Sequence, residues 1–160
     1  MSTGDMRSRM TRFGLWYLCL TSAYVAIWIL VAPKGFYNSF PTGPAHWVNG
    51  LPPYNEHLER DFGAAGLGLA VLAGLAAVWW TERRLVIATA LAFLAASLPH
   101  LIYHLTTTSH YSTSDNVQSL VGLALPVLIA GALLLGQRGS RHMQPTVGSP
   151  PGAANSPTSS

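Results

Sequence analysis

The chain has 160 residues, of which 49% are hydrophobic and only 9% charged, and its mean hydropathy is +0.30. An ordinary water-soluble domain carries about 25% charged residues. The net charge of +3 and isoelectric point near 9.4 do not mark a nucleic-acid binder, because the basic residues fall in short clusters between long apolar stretches. The length suits one domain, and the single cysteine, Cys19, excludes an intrachain disulfide or a CxxC redox pair.

Residues 1–12 are polar and basic and are expected to form a frayed lead-in. The first apolar stretch, residues 14–32, is too long for the hydrophobic region of a signal peptide. It is followed by Pro-Lys-Gly-Phe rather than a small-x-small cleavage site. It is therefore predicted to be a retained membrane span. Leu18 precedes Cys19, which rules out a lipobox and leaves the cysteine as a small packing residue. Trp16, Tyr17, Tyr24 and Trp28 suit anchoring at the two interfaces.

Residues 33–60 make a long loop with five large rings (Phe36, Tyr37, Phe40, Trp47, Tyr54) and five prolines (Pro33, Pro41, Pro44, Pro52, Pro53). Such a loop is too aromatic and too stiff to be a solvated linker. It is expected to fold as a cap over the helix ends, with a short interfacial helix around residues 35–40. A functional cap and a set of membrane anchors are both open readings.

The second span, residues 61–80, is entered from Asn55 as a helix cap after Pro52-Pro53. Gly66, Ala70 and Gly74 lie at i, i+4 and i+8, and that face suits close helix approach, either inside the bundle or in a homo-oligomer. The third span, residues 85–105, contains Pro99. The fourth, residues 117–135, contains Pro126 and is expected to be capped by Ser114 or Asp115. Each span is long enough to cross about 30 Å of hydrocarbon at 1.5 Å per residue. The Gly/Ser/Pro-rich residues 138–160 are expected to be a disordered tail. The fold class is thus all-α: a polytopic integral membrane four-helix bundle, residues 13–137, with an ordered external loop.

The charges orient the bundle. Arg7, Arg9, Arg12, Arg83, Arg84, Arg138 and Arg141 fall on one side, and only Lys34 and Arg60 on the other. By the positive-inside rule, both termini are expected in the cytoplasm. Arginine outnumbers lysine eight to one, and Ala, Gly and Leu dominate, which fits a GC-rich bacterial genome and hence the inner membrane.

This orientation places His46, His57, His100, His104 and His110 on the external half and leaves only His142 elsewhere. Glu56 and Arg60 are at i, i+4, as are His57 and Asp61; His100 and His104 share one helix face. In a four-helix bundle Glu56, His57, Arg60, Asp61, His100 and His104 are expected to converge near the outer surface. Three readings follow. His57, Asp61, His100 and His104 supply ligand types for a transition metal. The same histidines and acids suit a proton relay, or hydrogen bonding to a quinone or lipid headgroup. The third reading is a structural network fastening the loop to the helix ends. No GxSxG, HExxH, P-loop or dinucleotide fingerprint is present.

Size, four spans and the Arg60-Asp61-Phe62-Gly63 entry into a Gly/Ala-rich second helix resemble the DoxX-like group of small four-helix bacterial membrane proteins, over about residues 13–137. The resemblance implies a link to quinone-dependent redox systems. The aromatic loop and the His100/His104 pair are not part of that group's pattern, so no catalytic residue is carried over. The leading expectation is a non-catalytic accessory or ligand-binding subunit of a larger membrane system, in contact with lipid and with other membrane proteins but not nucleic acid. The alternative is a metal-dependent or quinone-linked redox protein using the same residues.

Overall fold

A computed structural model describes residues 3–41, 47–50, 53–109 and 111–138. Five helices follow in order: α1 Thr3–Val31, α2 Pro33–Ser39, α3 Glu56–Val78, α4 Arg83–Thr106 and α5 Thr113–Arg138. The described secondary structure is entirely helical. α1, α3, α4 and α5 are long and apolar enough to cross a membrane, yet only 28%, 28%, 22% and 17% of their most apolar windows are buried inside the protein. Most of that apolar surface therefore faces outward, which water would penalise and lipid does not. These features mark a multi-pass membrane protein.

α1 packs along α3 and α4 along α5, while the contacts of α1 with α5 and of α3 with α4 are far sparser. The bundle is thus two antiparallel helix pairs set side by side, in the cyclic order α1–α3–α4–α5. One end, with the α3–α4 turn and the arginine clusters, is the basic end; the other, with α2 and the long loop, is the cap end. The closed core lies in the basic-end half. Leu15 and Leu18 of α1, Ala73, Ala76 and Ala77 of α3, Val86, Ala90 and Phe93 of α4, and Ala130 and Leu133 of α5 form one buried cluster. Polar residues inside the spans bond to their own helices: Thr21 Oγ1 to the Tyr17 carbonyl at 2.7 Å, and Thr89 Oγ1 to Leu85 at 2.8 Å.

The small-residue stripe of α3 faces α1. Ala70 is buried, and a Cβ on Gly66 would lie 3.4 Å from Ala26 Cβ. A Cβ on Gly74 would lie 3.2 Å from Sγ of Cys19, which packs at this crossing. The Gly66/Ala70/Gly74 face therefore packs against α1 within the chain. The reason is geometric: small residues on α3 let α1 approach closely.

Two boundaries differ from expectation. α1 starts at Thr3, so most of residues 1–12 are helical rather than frayed. Asp5 sits in its first turn, where a negative charge suits the helix dipole, and Met6, Met10 and Phe13 continue a helical stripe. α5 starts at Thr113, earlier than Ser114 or Asp115 as a cap would allow. Ser112 is the cap: its Oγ accepts from the Asp115 N–H at 3.1 Å and donates to the Asp115 carboxylate at 2.8 Å. α4 and α5 run through Pro99 and Pro126. Two expectations hold: α2 is the short helix after the first span, and Asn55 caps α3, its Oδ1 accepting from the Leu58 N–H at 3.2 Å. The expected tail lies outside the described residues from 139 onward, as do His46, His110 and His142.

Candidate functional site

α1 ends at Val31, and Pro33, one residue beyond, brings no N–H, so carbonyls in the last turn of α1 lack their usual donors. Arg60, in the second turn of α3, replaces one of them. Its Nη1 donates to the Leu30 carbonyl at 3.0 Å, while Nε donates to Glu56 Oε1 at 2.9 Å. Glu56, one turn earlier, holds the guanidinium in place. The opposite end repeats the device: Arg83, at the start of α4, donates from Nε to the Gln137 carbonyl at the end of α5, at 3.2 Å. In each pair a guanidinium near one helix's N-terminus closes the C-terminus of its antiparallel partner, where cations suit the helix dipole. Glu56 and Arg60 are thus engaged in joining α1 to α3.

His57 Nε2 lies 3.4 Å from Asp61 Oδ2, with the two side chains 88% and 62% exposed. This is a surface pair on one helix. His100 and His104 occupy a different environment. Val86, Ala90, Phe93, Ser97, His100 and His104 follow spacings of 4, 3, 4, 3 and 4, the stripe that faces the bundle interior. The first three are in the closed core; the histidines carry the same stripe into the cap-end half, where they are half-buried.

Rings surround them. The centroids of His100 and His104 are 5.0 Å apart. Phe62 of α3 meets His100 nearly edge-on at 6.1 Å, Tyr103 meets His104 at 5.7 Å, and Tyr111 lies 5.8 Å from His104. Tyr111 donates its phenolic proton to the Trp47 carbonyl at 3.1 Å. Burial, with a smaller contribution from Tyr103, holds the Tyr111 phenol above its usual pKa, so the donor stays protonated. Among the described residues neither imidazole has a hydrogen-bond partner.

Trp47 joins the cap to the second helix pair. Rings of Tyr24, Trp28, Phe40 and Trp47 form a chain with centroid spacings of 5.7, 6.0 and 5.7 Å, and Phe36 packs 4.6 Å from Phe40. The chain ends against α5, where a Cβ on Gly122 would lie 3.3 Å from Trp47. The Trp47 indole N–H is buried without a partner among the described residues. The Phe40–Pro41 peptide is cis.

The six candidate residues therefore form three couples: Glu56 with Arg60, His57 with Asp61, and His100 with His104. No three His, Cys, Asp or Glu side chains among the described residues are grouped to hold a metal ion. Sequence reasoning did not place Phe62, Tyr111 and Trp47 beside the site. The heptad spacing behind His100 and His104 was the available signal that these histidines face inward. No family model, curated protein or solved structure matches the chain.

Proposed function

We propose that the protein is a non-catalytic, ligand-binding accessory subunit of a bacterial inner-membrane system, with both termini cytoplasmic and the cap end outward. Its site is the His100/His104 pair. The observation that carries this reading is the placement of two imidazoles on the interior stripe of a membrane-crossing helix, walled by Phe62, Tyr103 and Tyr111, with no hydrogen-bond partner among the described residues. A neutral imidazole carries one donor and one acceptor, and both are costly to leave unmet in an apolar setting. A small ligand with a polar head and flat apolar faces would meet them. The binding reading is favoured over metal-dependent chemistry because, among the described residues, the geometry groups two imidazoles and no third donor.

The test is organic extraction and mass spectrometry of the purified full-length protein beside His100→Leu/His104→Leu. The wild type is expected to release a bound small molecule at near-stoichiometric yield, and the variant to release at least tenfold less while keeping its helical content. Equal retention by both proteins, or no bound molecule in the wild type, refutes the assignment.

A further inference from the structure

At 29 residues α1 is the longest helix, about 43 Å at 1.5 Å per residue against a hydrocarbon thickness of about 30 Å. Its cap end is fixed by α2, which starts at Pro33, and by the Arg60 bond to Leu30. The surplus of roughly nine residues, about 13 Å, therefore emerges at the basic end. That segment is two-sided. Met6, Met10 and Phe13, at i, i+4 and i+7, are 47%, 68% and 74% exposed. The stripe is continuous with Leu20, Tyr24, Ile27 and Val31, also exposed, which form the lipid face of the same helix further along. Arg7 and Arg12 lie on opposite flanks of it, with Arg9 beside it, and Arg84 of α4 is exposed at the same end of the bundle.

We infer that the first three turns of α1 bind anionic phospholipid, with Phe13 and Met10 at the acyl boundary, Met6 among the headgroups, and Arg7 and Arg12 on headgroup phosphates. Three features select lipid over a partner helix. The apolar stripe runs without a break into a face already given to lipid. Its length past the hydrocarbon matches the headgroup layer, about 5–8 Å deep on each side, plus a little more than one turn. The flanking cations are arginines, whose aliphatic stems can lie along the helix while the guanidinium reaches the phosphate plane. This surface is independent of the His100/His104 site.

The test uses purified full-length protein in mild detergent, titrated with phosphatidylglycerol, phosphatidylcholine or inorganic phosphate, and reads bound lipid by native mass spectrometry. Phosphatidylglycerol is expected to bind tighter than phosphatidylcholine, and inorganic phosphate not to compete, because the apolar stripe supplies part of the affinity. Each arginine near an anionic surface is worth about fivefold, so Arg7→Gln/Arg12→Gln should lower the preference about 25-fold. Met10→Ser/Phe13→Ser should weaken both lipids together. Equal affinity for the two lipids, or an unchanged preference in the arginine variant, overturns the inference. Competition by phosphate alone would reduce the surface to a plain anion site, and a polypeptide released only from the Met10→Ser/Phe13→Ser variant would assign the stripe to a protein instead; either outcome also overturns it.

Discussion

Gly63 sits where α3 comes nearest to α1, and replacing it with alanine tests the packing of that pair directly. The added Cβ would lie 2.8 Å from Ile29 Cγ2 and 3.1 Å from both Ile29 Cβ and Leu30 Cγ, whereas carbon atoms settle at about 3.5–4.0 Å. Ile29 is fully buried and β-branched, so its χ1 has one favoured value in a helix and the side chain cannot swing away. α1 must instead retreat by roughly 1 Å, which would pull the Leu30 carbonyl from 3.0 Å to beyond hydrogen-bond reach of Arg60. Overpacking of this kind costs about 1–3 kcal/mol, and the better helix propensity of alanine returns up to about 1 kcal/mol. The net expectation is a loss of about 1–2 kcal/mol. Gly68, on the same helix, has nothing within 4 Å of its would-be Cβ, so Gly68→Ala should gain up to about 1 kcal/mol. Thermal unfolding in one detergent, followed by circular dichroism, should separate the two midpoints by roughly 2–12 °C, at about 2–4 °C per kcal/mol. Coincident midpoints, or a Gly63→Ala protein at least as stable as the wild type, would refute the close approach of α1 and α3.

Arg60→Met keeps the apolar stem but removes the closure of α1. With both partners of the ion pair about half exposed, the loss should be only about 1 kcal/mol, read as a lower unfolding midpoint that added salt reduces in the wild type and not in the variant. Trp47→Ala should cost about 2 kcal/mol by emptying the space above Gly122. Trp47→Phe removes the unpartnered indole N–H while keeping a ring there, and should stay within about 1 kcal/mol of the wild type. Equal damage from the two Trp47 variants would show that the indole N–H has a partner after all.

The four spans were legible because a membrane crossing writes itself as about twenty apolar residues, and Asn55 was legible because its cap uses a local side-chain bond. What remained hidden depends on which helices become neighbours. Glu56, His57, Arg60 and Asp61 follow one another on the first turns of α3 and looked like one cluster with His100 and His104. A helix turns 100° per residue, so Arg60 points at α1 while His57 and Asp61 point outward. Phe62, not a charged residue, faces His100. The α1 extension is hidden by the polar and basic residues of 1–12, although Met6, Met10 and Phe13 carry a helical period.

The interior stripe of α4 sets the sharpest contrast between scaffold and site. From Val86 to Phe93 it does what a bundle requires, closing against Leu18, Ala76 and Ala130 with apolar side chains. A bundle that only needed to span the membrane would continue with leucine at positions 100 and 104. Two half-buried leucines would each bury apolar area that an imidazole does not, about 0.5–1 kcal/mol apiece. They would also remove donors and acceptors that find no partner among the described residues. His100→Leu/His104→Leu should therefore unfold about 1–2 kcal/mol later than ligand-stripped wild type while losing the bound molecule. If the histidines instead fasten the cap to the helix ends, the same variant loses stability, because ring contacts to Phe62 and Tyr111 disappear with nothing regained. A rise in stability with loss of ligand means that these positions are held by binding and not by folding, and that the ring-lined cap-end half of the bundle is where the molecule acts.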